Sequence, residues 1–101
     1  MEQLLVYNFE GLREEFSLME KEDERNVTSK AEVATVNILY NRYLLGDGKS
    51  MDSQRLIFTL LSFGVRKVAA KAAFESLQRK GVIKMKGLNV NYIPYGERYG
   101  R

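Results

Sequence analysis

The strongest constraint in this sequence is a change of hydrophobic period at Gly81. Upstream, apolar residues recur every three or four positions, as they do on one face of a helix. Downstream, Ile83 and Met85 alternate with Lys84 and Lys86, and Val90 and Tyr92 alternate with Asn89 and Asn91, the two-residue period of half-buried strands. Gly87-Leu88 between them fits a two-residue turn with glycine first. That turn pairs Lys86 with Asn89, Met85 with Val90, Lys84 with Asn91 and Ile83 with Tyr92, so every pair matches in polarity. One face of such a hairpin packs inward and the other presents Lys84, Lys86, Asn89 and Asn91. The expected fold is therefore mainly α with a small β-hairpin.

The upstream segments read as four helices. Phe9, Leu12, Phe16 and Met19 share a stripe, which predicts a helix over 10–24, although Glu22-Asp23-Glu24 would sit at its negative pole. Ser29 and Glu32 have capping-box spacing and open a second helix, with Val33, Val36, Tyr40, Tyr43 and Leu44 at helical intervals and Gly46-Asp47-Gly48 as its stop. A third opens after Ser50 or Asp52, carries Leu56, Ile57, Leu60 and Leu61, and closes near Gly64. The fourth, over 66–80, is rich in alanine, a strong helix former. Residues 94–101 lack apolar periodicity and read as a mobile Tyr/Gly/Arg tail.

Charge divides the chain. Residues 1–27 hold eight acids against three bases, a formal −5, while residues 28–101 hold five against thirteen, a formal +8. Arg66, Lys67, Lys71, Arg79, Lys80, Lys84 and Lys86 against Glu75 give +6 between positions 66 and 86. A basic body preceded by an acidic segment suits a polyanionic partner; a solvated cationic face is the plain alternative.

Some chemistry is excluded outright. With no Cys and no His among 101 residues, thiolate nucleophiles, imidazole bases, disulfides and the usual zinc ligands are all missing. The carboxylates Glu14, Glu15, Glu20, Glu22, Asp23 and Glu24 have no metal-loop spacing and read as a solvated helix face. The expectation is a protein with no metal, no cofactor and no enzymatic activity. No apolar run approaches the roughly 20 residues of a membrane span, so no membrane association and a cytoplasmic location are expected.

Three helices followed at once by a basic hairpin, with Gly64-Val65, Ala70, Ala73-Phe74, Leu77 and Gly81-Val82-Ile83 at their spacings, resemble the winged helix-turn-helix DNA-binding family over about residues 30–93. The resemblance implies a winged-helix domain at 28–93, preceded by an extra acidic N-terminal helix and extension at 1–27. It implies that Lys67 and Lys71 enter the major groove of double-stranded DNA, that Arg66, Arg79 and Lys80 hold phosphates, and that Lys84, Lys86, Asn89 and Asn91 serve the wing. The chain departs from the family in two ways. Arg66 stands where a capping hydroxyl is usual, and the outward positions Lys67, Val68, Ala69, Lys71 and Ala72 supply few groups that read a base edge.

Phe9, Leu12, Phe16 and Met19 are candidates for a homodimer interface; core packing, or a dock for a basic protein partner, are the other uses of that segment. Sequence-preferring DNA binding as a transcriptional repressor is the functional expectation. A looser resemblance, to small centromere-binding adaptors of plasmid partition, adds a role in plasmid or phage DNA maintenance. The alternative is a winged-helix protein-interaction module whose alanine face and acidic helix bind other proteins. Tyr40, Tyr43 and Tyr92 are assigned to the core, while Tyr95, Arg98, Tyr99 and Arg101 either approach a groove or form an untied terminus.

Overall fold

The computed structural model describes residues 19–98; Phe9, Leu12, Phe16, Tyr99 and Arg101 lie outside the described residues. The elements in chain order are α1 (Lys21–Asn26), α2 (Lys30–Leu44), β1 (Ser50–Asp52), α3 (Ser53–Ser62), α4 (Lys67–Arg79), β2 (Ile83–Lys86), β3 (Asn89–Tyr92) and α5 (Tyr95–Arg98). The fold is mainly helical, with a small three-stranded antiparallel sheet in the order β1-β3-β2.

Helix α2 runs through the core. Ser29 Oγ accepts from the Glu32 amide at 3.1 Å, and Glu32 Oε1 accepts from the Ser29 and Thr28 amides at 3.3 and 3.1 Å, which closes the expected capping box. Val33, Ala34, Val36 and Leu39 are buried. Thr35 and Asn37, buried on the same helix, satisfy themselves locally: Thr35 Oγ1 donates to the Ala31 carbonyl at 2.7 Å and Asn37 Nδ2 to the Val33 carbonyl at 2.8 Å. Leu44, expected on the apolar stripe, is exposed, because the helix ends there and Leu45, Gly46 and Asp47 turn back onto its last carbonyls. Gly46 supplies the left-handed residue at that stop, with φ of 86°.

After the turn comes a strand that the sequence pattern does not announce. Ser50, Met51 and Asp52 pair with Asn91, Val90 and Asn89, so the sheet is one strand wider than the expected hairpin. Asp52 then caps α3 by accepting from the Arg55 amide at 3.2 Å. Leu56 and Leu60 are buried and Ile57 is half-buried, but Leu61 is exposed and does not belong to the core face. Gly64 turns the chain, Val65 is buried, and α4 follows with Ala70, Ala73, Phe74 and Leu77 inward. Arg66 stands at its N-cap and makes no side-chain capping bond. The β2–β3 register is the expected one in all four pairs.

Both ends of the described chain depart from expectation. The helix expected over 10–24 does not run through position 20: Glu20 is extended (ψ 147°) and α1 begins at Lys21. Glu22, Asp23 and Glu24 therefore occupy a first turn, at the positive pole of the helix, where carboxylates are favoured. Met19, a dimer-interface candidate, is buried in this chain's own core. At the other end residues 95–98 form a helical turn instead of a loose tail, and Arg98 is buried rather than offered to a groove. Its guanidinium meets Asp23 at 2.6 and 2.9 Å, and its Nε donates to the Ile93 carbonyl at 2.7 Å. Glu20 Oε1 accepts from Tyr92 Oη at 2.6 Å and from the Tyr95 amide at 2.8 Å. The packed body thus extends past the expected limits of 28–93, from Met19 to Arg98. Tyr92 is a core residue, and Tyr40 and Tyr43 pack against the core beside it, the three tilted ring centroids lying 5.9–6.2 Å apart. Burial and the bond to Glu20 hold the Tyr92 phenol far above its ordinary value.

Candidate nucleic-acid interface

Ten of the fourteen lysines and arginines among the described residues sort into two groups, with Lys21, Arg25, Lys30 and Arg55 outside both. Lys49 pairs with Glu97 at 2.7 Å, Arg98 with Asp23, and Arg42 Nη2 donates to the Ser50 carbonyl at 3.2 Å. Lys80 belongs to this group as well: its Nζ lies 3.2 Å from Glu32 Oε2 and also donates to the Asn26 carbonyl. It ties the end of α4 to the start of α2, a structural contact that the sequence reading, which expected a phosphate role for Lys80, did not foresee. Burial acts to raise the Glu32 carboxyl, but hydrogen bonds from Ser76, Thr28, Ser29 and Lys80 outweigh it and hold the group below its ordinary value.

The second group is Arg66, Lys67, Lys71, Arg79, Lys84 and Lys86. All six are exposed, and none has an ion-pair partner among the described residues. Four of them line α4 or its cap and two lie on β2, which packs against α4. Lys67 and Lys71 are one turn apart at the N-terminal half of α4 and line, with Ser53, Gln54, Ile57, Phe58 and Leu61 of α3, an open hollow of about 360 Å³. Arg79 lines a second, shallower hollow of about 570 Å³, where Ala69, Ala72, Ala73 and Ser76 face the first turn of α2. Ala70 and Ala73 are core residues, Ala69 is half-buried, and Ala72 alone of these four is exposed.

On the hairpin, Lys84, Lys86 and Asn89 face outward. Asn91 does not join them fully. It stands in the central strand between Ser50 and Lys84, half-buried, and its Nδ2 is buried with no hydrogen-bond partner among the described residues. The turn is short and tied down: the Ser53 amide donates to the Leu88 carbonyl at 2.8 Å, which fixes the hairpin tip beside the start of α3. Leu88 itself is 72% exposed at that tip.

The site also contains Phe58, which the sequence reading did not single out, and Val68, named there only as an outward position of α4. Phe58 is 75% and Val68 80% exposed, on the two helices that carry the hollow. Their signal was present in the spacing: Phe58 lies two residues from both Leu56 and Leu60, and Val68 two residues before Ala70, which turns each about 200° from the core stripe at about 100° per residue. Among the described residues there is no group of three or more Asp or Glu side chains placed to hold a metal ion, and no helix long and apolar enough to cross a membrane.

No family model matches this chain, and neither a curated protein nor a solved structure matches it.

Proposed function

We propose that the chain is a winged helix-turn-helix protein that binds double-stranded DNA without catalysing a reaction. In this reading α3 and α4 are the helix-turn-helix, with α4 entering the major groove, and the β2–β3 hairpin is the wing. The observation that carries it is the division of the cations. Lys49, Lys80 and Arg98, which hold the fold, are paired with Glu97, Glu32 and Asp23, while six exposed cations without an ion-pair partner among the described residues stand together on α4 and the adjoining strand; Lys21, Arg25 and Arg55 are exposed elsewhere. Uncompensated charge on one helix and its neighbour suits a phosphate backbone, whose bound counterions are released when lysine and arginine replace them. Action as a homodimer, in repression or in plasmid or phage DNA maintenance, completes the proposal.

The test is a binding titration of the full chain on a mixed-sequence duplex across salt concentrations, with mass followed in parallel. Four to six phosphate contacts give a slope of log K against log salt of about −4 to −5. Absence of binding at low salt defeats the reading.

The exposed rings and methyls of Phe58, Leu61 and Val68 favour a second reading, a winged-helix module that docks a protein on the α3–α4 hollow. It predicts indifference to DNA and loss of a protein partner on Phe58→Ser.

A further inference from the structure

Apolar surface is unusual on a helix face that carries lysines for a polyanion, and here it has a definite layout. Val68 and Ala72 are exposed and four residues apart, so their side chains stack on one stripe of α4, with Cβ atoms about 5–6 Å apart. Lys67 and Lys71 form the neighbouring stripe one position back, and Phe58 of α3 lies in the same hollow as these lysines. Neither Val68 nor Ala72 can donate or accept a hydrogen bond. Of the groups that base pairs present in the major groove, only the C5-methyl of thymine is apolar.

We infer that α4 discriminates among DNA sequences by contact of Val68 and Ala72 with thymine methyl groups, and that its preferred sites contain successive thymines on one strand. This rests on the DNA-binding reading above and names the substrate class of that same surface. Successive bases rise about 3.4 Å along a strand and turn by roughly a tenth of a revolution, which sets neighbouring methyls further apart than the rise alone and near the spacing of two side chains one helical turn apart. Lys67 and Lys71 flank that contact and bring the helix to the groove by charge; the methyl contact supplies selectivity that long flexible lysines do not. The small Ala72 lets the backbone of α4 approach, while Val68 fills the space above the methyl. Exposure of Val68 in the free protein is then the unbound state of a contact surface.

The experiment compares two duplexes of one sequence containing several TT steps, the second with every thymine replaced by uracil. The replacement removes the methyls and keeps the base pairs and all groove hydrogen-bonding groups. Burying one methyl is worth about 0.8 kcal/mol, close to fourfold in affinity. The full chain is expected to bind the thymine duplex about 4- to 15-fold more tightly. Val68→Ala, an exposed change to a better helix former, is expected to keep its thermal transition and lose most of that ratio. The pair Lys84→Ala with Lys86→Ala is expected to weaken both duplexes equally and keep the ratio. Equal affinity of the unaltered chain for both duplexes, or an unchanged ratio in Val68→Ala, overturns the inference while DNA binding stands. Failure to bind either duplex at low salt overturns the DNA reading together with it, and passes the Phe58–Val68 surface to a protein partner.

Discussion

Asp23 and Arg98, 75 positions apart in sequence, form a two-pronged ion pair at 2.6 and 2.9 Å, with side chains 0% and 4% exposed. The pair fastens α1 to α5 and so closes the two ends of the described chain over Tyr92. Burial acts against the Arg98 charge, yet the bonds to Asp23 overcome it and hold the guanidinium above its ordinary value.

Removing one partner leaves the other buried without its principal counter-charge, Glu20 Oε1 lying 3.9 Å from the Arg98 guanidinium, and costs up to about 3–5 kcal/mol. Arg98→Met and Asp23→Asn are each expected to lower the midpoint of denaturant unfolding by an amount of that size. The double variant Asp23→Asn with Arg98→Met is expected to cost clearly less than the sum of the two. Strict additivity, or losses below about 0.5 kcal/mol typical of surface changes, would show that the clasp contributes nothing.

The pairing was not readable from the sequence, and the reason is physical. Charges carry no period, and an interaction across 75 positions leaves no local trace, so residues 94–98 look like a tail. Ser50-Met51-Asp52 escapes notice for a related reason: three residues are too few to establish an alternation, and only Met51 is buried. The hairpin and the second helix were readable because their information is local. Alternating Lys84, Lys86, Asn89 and Asn91 fixes one register, and Ser29 with Glu32 marks a start that nothing downstream revises. In the interface, sequence identified the cations but not which were already spent. Lys80, unlike Lys71, has Glu32 and the Asn26 carbonyl within reach of its ammonium.

Glu32 makes stability depend on pH. Its carboxyl is held below the ordinary value of 4.5, so the stabilisation is fully present above pH 4.5 and is lost as pH falls through the folded-state value. Glu32→Gln keeps a side chain able to cap the helix and removes the charge facing Lys80. At pH 7 it is expected to cost about 1.5–3 kcal/mol, the range for a hydrogen bond involving a charged group. At pH 3 the gap between variant and parent narrows, as denaturant unfolding at both pH values will show; a constant gap would assign the cost to packing alone.

Gly81 ends α4 with φ of 78°, and a Cβ built there meets nothing within 4 Å. The cost of Gly81→Ala is therefore conformational and not steric, about 1–2 kcal/mol for a left-handed residue. Gly96, inside the α5 turn and without a positive φ, is the control. Gly96→Ala is expected to be neutral or slightly stabilising in thermal unfolding, and a loss equal to that of Gly81→Ala would refute the distinction.

Lys71 and Lys80 lie on and just after the same helix and separate the two roles of its cations. Lys80→Ala removes the partner of Glu32 and a bond to the Asn26 carbonyl, so it is expected to lower thermal stability. Its effect on the salt dependence of DNA binding, measured below the transition, should be small. Lys71→Ala leaves no carboxylate unpaired and is expected to leave stability within about 0.5 kcal/mol. It should make the slope of log K against log salt shallower by about one, the signature of one positive charge lost from the DNA contact. If Lys80→Ala flattens the slope and Lys71→Ala does not, the cation that touches DNA is the one already paired with Glu32, and the division of charges that supports the proposed function fails.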